Sequence, residues 1–127
     1  MNTIELSYVT IRYEQPVVYF TYREGAELGF PEIRELVRCA EQLSGGKPYV
    51  TFSDVRVGMN ITEEGKRYVS NPDHMPLFRG TAVLVKNSMY SFAVNLMSNI
   101  QRSRYPFKAF TDKNKAINWL LSLPLTS

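Results

Sequence analysis

This sequence predicts a single α/β domain, with an N-terminal β-hairpin followed by alternating helices and strands. Three observations predict it. Two β-prone stretches, Ile4–Glu14 and Val17–Tyr22, flank the short turn "EQP". Beyond them, short β-branched runs alternate with stretches whose apolar residues recur at helical spacing. The chain has 127 residues, 44% hydrophobic and 21% charged, which suits one core over residues 1–127.

The first strand changes phase: Ile4, Leu6 and Tyr8 share one parity, then Val9, Ile11 and Tyr13 take over, which predicts a bulge or a bend near Tyr8. "VVYFTY" pairs with it as the second hairpin strand. "EGAELGF" breaks the pattern, and Pro31 opens a helix whose core face is Ile33, Leu36, Val37, Ala40 and Leu43. Gly45-Gly46 ends that helix, and Pro48 blocks its continuation. "YVTFSDV" is the third strand. Thr62 caps a short second helix, with Glu63 and Glu64 at its positive end.

"NPDHMP" reads as a loop that leaves His74 solvated. "TAVLVK" (Thr81–Lys86) is a fourth strand, apolar on both faces as a central parallel strand must be. Ser88–Arg104 is a long helix, "PFKAF" a fifth strand, and Thr111 or Asp112 caps a last helix bearing Ala116, Trp119, Leu120 and Leu123. The expected order is β-β-α-β-α-β-α-β-α, about five strands and four helices, with parallel pairing through right-handed crossovers after the hairpin.

Composition excludes several classes. No apolar run reaches the roughly 18 residues of a membrane-spanning helix, and the N-terminus carries Glu5, Arg12 and Glu14, unlike a signal peptide. One cysteine, Cys39, excludes an internal disulfide framework, and a cytoplasmic setting is the simplest reading. Residues 1–53 carry five basic against seven acidic side chains, whereas residues 54–127 carry ten against five. That polarity favours self-association or an acidic partner; a solvated basic surface explains it better than a nucleic-acid site.

The element order and certain residues resemble the SpoIIAA-like branch of the STAS fold. "FKAFTDKNKAINWLLSL" is similar to the "F-T-x-x-x-x-A-x-x-W-L" ending of small, mostly uncharacterised bacterial members. "TAVLVKNSMYSFAVN" resembles their fourth strand and following helix, and "YVTFSDVRV" their third strand. The resemblance implies a regulatory, protein-interaction or small-ligand-binding domain, not an enzyme, and it calls for no cofactor. In the anti-sigma-factor antagonists of the family, a Ser in an Asp-Ser-Ser-Gly motif at the start of the second helix is phosphorylated. Here "NITEEG" occupies that place without the Ser pair. Thr62, and Ser53 at the strand end, are the remaining phosphoacceptor candidates, and Glu63 and Glu64 would repel a phosphate.

Enzyme chemistry finds little footing. A phosphoaccepting Asp54 would need a second acidic cluster for Mg²⁺, and no Asp precedes Asp54. No G-x-S-x-G elbow is present, and one His, one Cys and scattered acids offer no metal-ligand spacing. Cys39 has no His near it in sequence and reads as an inert core residue. Asp54 is expected to hold loop amides or to pair with Arg56, the alternative being a ligand contact. A ligand or partner would meet the carboxyl ends of the parallel strands, where Asp54, Arg56, Lys86, Asn87 and Phe110 gather.

Met89, Tyr90, Phe92 and Met97 belong to a helix with more apolar surface than one sheet-facing stripe needs. The surplus suits dense core burial, a homodimer interface or a lipid-lined pocket. The family's outline also resembles CRAL-TRIO lipid-transfer domains. Two functional expectations follow: protein–protein contact, including a homodimer, and carriage of a small apolar or anionic ligand.

Overall fold

Six strands follow one another across the main sheet in the order in which they occur along the chain. They are β1 (Thr3–Glu5), β2 (Val9–Glu14), β3 (Val17–Tyr22), β5 (Tyr49–Asp54), β7 (Phe78–Leu84) and β8 (Phe107–Phe110). This computed structural model describes residues 2–87 and 105–126. The first three strands pair antiparallel, and β3, β5, β7 and β8 run parallel. The expected helix Ser88–Arg104 lies outside the described residues, and so do Met89, Tyr90, Phe92 and Met97.

Of the two forms expected near Tyr8, the phase change marks the bend and not the bulge. Residues 6–8 fold the chain back, Leu6 N–H donates to Val9 O at 2.9 Å, and Ile4 faces Ile11 across the new hairpin. The expected first strand is therefore two. Glu14 and Val17 pair directly around Gln15–Pro16, as the turn predicts. A second correction concerns "EGAELGF", which supplies β4 (Ala26–Leu28). It pairs in parallel with β6 (Met59–Ile61) as a separate two-stranded sheet. The described residues thus hold eight strands instead of five.

Helix α1 (Phe30–Ser44) starts where Glu32 Oε1 accepts the Gly29 N–H at 2.9 Å, with Pro31 as its second residue. It stops at Gly45, whose φ of 66° is the left-handed conformation that glycine adopts without strain. Helix α2 (Glu63–Val69) and a 3₁₀ turn over Pro72–His74 lead into β7. Helix α3 (Lys113–Leu121) begins where Asp112 Oδ1 accepts the Lys115 N–H at 3.1 Å.

The sheet separates two apolar layers. On one side Ile33, Leu36, Cys39 and Ala40 of α1 pack with Val9, Ile11, Val18, Phe20, Tyr49 and Phe78. On the other, Ala116 and Leu120 of α3 cover Val17, Tyr19, Val50, Phe52, Ala82 and Leu84. Chain segments that leave β3 and β5 for the next parallel strand in one direction must return over the same face, which explains why α1 and α2 share a side. The terminal helix α3 closes the other.

Candidate functional site

Asp54, Leu84 and Phe110 lie level with one another in the sheet register, with Thr21 on the far side of Asp54. The carboxyl ends of the parallel strands thus bring Asp54 and Phe110 to one edge. Lys86 and Asn87, both exposed, follow β7 at the same edge.

Asp54 is engaged there. Its Oδ1 accepts from Arg56 Nε at 2.9 Å and from the Arg56 backbone N–H at 3.2 Å, and its Oδ2 accepts from Arg56 Nη2 at 2.7 Å. Burial pushes the Asp54 carboxyl up. The Arg56 hydrogen bonds and charge, with Lys113 beyond, outweigh it and hold the group below its ordinary value. The same pairing raises the Arg56 guanidinium.

The side chain of Asp54 is 17% exposed and that of Arg56 is 56% exposed, so solvent screens the pair and limits it to under about 1 kcal/mol. A carboxyl whose folded pKa lies below its unfolded value of about 3.9 stabilises fully above that pH. The contribution is lost as pH falls through the folded value. Asp54→Asn should therefore flatten the acid limb of a stability–pH profile below about pH 4, as followed by urea unfolding.

Thr62 is the N-cap of α2: its Oγ1 accepts the Gly65 N–H at 3.0 Å. Thr62→Ala should cost about 1 kcal/mol in denaturant unfolding, and Thr62→Ser should recover most of it.

Ser53 faces inward, beside Tyr22. Burial pushes the Tyr22 phenol well above the ordinary tyrosine value, and its hydrogen bond with Ser53 opposes that shift. Cys39 is buried in the α1 face; burial and the Glu35 charge raise its thiol, with Arg38 opposing. A thiol held in its neutral form is a poor nucleophile.

His74 is not simply solvated. Its ring stacks on Tyr68 at 4.0 Å between centroids, and Nδ1 donates to Tyr68 O at 2.8 Å. Phe30 meets the other partner of that stack, Tyr68, edge-on at 5.0 Å, and Arg34 lies over Phe30. Among the described residues, no group of three or more His, Cys, Asp or Glu could hold a metal ion. No described helix is long and apolar enough to cross a membrane.

A well-formed recess lies elsewhere. A cavity of about 330 Å³ lies between the sheet and the α1/α2 layer, within the roughly 300–1,000 Å³ of small-molecule pockets. Its floor includes Phe20, Tyr49, Thr51, Ser53, Thr81 and Val83, from three adjacent parallel strands. Ile33, Leu36 and Val37 of α1 face them, and Met59, Asn60, Ile61 and Lys66 come from β6 and α2. Thr51 Oγ1 donates to Thr81 Oγ1 at 2.7 Å, so each of these floor hydroxyls has a partner.

Sequence reasoning placed a ligand at the strand ends or in an apolar pocket of Met89, Tyr90, Phe92 and Met97, which lie outside the described residues, and missed Thr51, Thr81, Asn60 and Lys66. A signal was available: threonines within the apolar runs "YVTF" and "GTAVLV" are polar residues at positions that must be buried.

Residues 11–123 match the family described as Domain of unknown function (DUF7793). No curated protein matches the chain. Among solved structures, the chain is similar to the crystal structure of an uncharacterized protein of the DUF3478 family with a SpoIIAA-like fold, from Shewanella loihica PV-4. The two are 18% identical, with a TM-score of 0.61, over 88% of this chain and 91% of the other. At that identity the likeness is one of fold, and it bears out the SpoIIAA-like architecture that the sequence suggests. With nearly its whole length matched, the chain belongs to the DUF7793 family and carries that family's domain on a SpoIIAA-like α/β fold.

Proposed function

We propose that this domain is a non-catalytic binding module that holds a small, largely apolar ligand in the cavity between the sheet and the α1/α2 layer. The observation that carries this reading is the cavity itself: it has ligand-sized volume, apolar walls and a few polar groups already partnered. The state of the reactive side chains supports a non-catalytic role. Asp54 is bound bidentately by Arg56, Cys39 is buried as a thiol, and His74 is stacked and tied to a backbone carbonyl. The single cysteine supports a reducing, cytoplasmic setting.

Native mass spectrometry of protein purified from its own host tests the proposal. A co-purifying apolar molecule, lost on Val37→Trp, is the expected result. A bare chain that also fails to take up an added apolar dye would sink it.

A regulatory protein-contact role, including a homodimer, is the second reading. The half-exposed rings of Phe30 and Tyr68 with Arg34 support it, because aromatic and arginine side chains dominate interface energetics. Sedimentation velocity at rising concentration tests the homodimer. A dimer that Arg34→Glu dissociates is expected, and a monomer throughout would count against self-association.

A further inference from the structure

The chemistry of the lining narrows the ligand further, and this step rests on the cavity reading above. We infer that the ligand is a single-chain amphiphile ending in one carboxylate, a medium-chain fatty acid or its close analogue, and that Lys66 selects for the charge.

Among the described lining residues, Lys66 is the only one that carries a charge. It sits where wall meets solvent: its side chain is 26% exposed, and its ammonium donates to Glu63 Oε1 at 3.3 Å. Glu63 is itself largely exposed, so this pair is solvent-screened, and a ligand carboxylate can take its place with little loss. Asn60, also in the lining, brings an amide that can donate to the same head group.

The floor imposes the rest. Thr51 donates to Thr81, and the Tyr22 phenol lies beside Ser53, so these hydroxyls have polar neighbours within the protein. A ligand body lying over them need offer no hydrogen bonds, and an acyl chain offers none. A polar body would have to break these pairs or leave its own groups unmatched, which a buried site disfavours.

Charge number is set by the neighbours. Glu63, in the first turn of α2, lies three residues before Lys66 and faces it. One lining ammonium matches the single negative charge of a carboxylate head that takes the place of Glu63, and the nearby Glu63 charge opposes a dianion such as a phosphate monoester. The volume of about 330 Å³ suits a tail of medium length.

The test is isothermal titration of the full chain at neutral pH with decanoate, decanol and decyl phosphate, each below its aggregation threshold. Decanoate should bind about tenfold more tightly than decanol, the ratio expected of one partly buried ion pair. Lys66→Met should erase that ratio. Glu63→Gln should strengthen decanoate a few-fold by freeing the ammonium.

Equal affinities for decanoate and decanol, or a ratio that survives Lys66→Met, would overturn the charge selection and leave the cavity reading standing. Decyl phosphate binding more tightly than decanoate would overturn the single-charge assignment. Binding of none of the three would remove the cavity reading as well.

Discussion

Leu120→Ala should lower the unfolding free energy by about 3 kcal/mol, within the range of buried leucine truncations. It is one of only two fully buried side chains in α3, at 1% exposure, the other being Ala116. Its neighbours Val17, Tyr19, Val50, Phe52, Ala82 and Leu84 all come from strands. A paired sheet cannot collapse into the space a missing isobutyl group leaves, so the cavity term adds to the lost transfer energy. Since domains of this size hold only about 5–15 kcal/mol, the variant should denature at clearly lower urea with an unchanged m-value. A change below about 1 kcal/mol would mean that α3 contributes little to this face.

Gly65→Ala should destabilise by about 2 kcal/mol, although the same change inside an ordinary helix gains about 1 kcal/mol. A Cβ at Gly65 would stand 2.6 Å from Leu28 O and 3.0 Å from Ile61 Cγ2. The first of these is a backbone atom that already accepts the Thr62 N–H at 3.0 Å. It cannot swing aside as a side chain would. α2 would have to retreat from β4, and that movement strains the link between Thr62 and Leu28. A stabilised variant in thermal unfolding would show instead that β4 yields easily.

How far the sequence could be read depended on the length of each signal. Where periodicity or capping spans many residues, as in α1 with Ile33, Leu36 and Ala40, or α3 with Asp112, Ala116 and Leu120, element and buried face were both legible. β4 and β6 were not, because three residues such as Ala26–Leu28 cannot display a period. Their pairing is decided by a partner more than thirty residues away. The turn at residues 6–8 lacks Gly, Pro and Asn, so its only trace was the change of parity.

The pairing of Asp54 with Arg56 was legible because the two are two residues apart. The cavity was not, since its walls come from segments spread between Phe20 and Phe107. No local pattern reports a space that only their assembly creates.

The chain-ordered arrangement of the main sheet bears on how the molecule is made. β1 to β3 complete a meander from the first 22 residues alone, with no long loop to close. Each later strand then docks on the open edge its predecessor presents, and none must be inserted between strands already joined. A nascent chain emerging N-terminus first can therefore extend its sheet in the order of synthesis. The slow steps are confined to the parallel ladders, whose sequence separations are long.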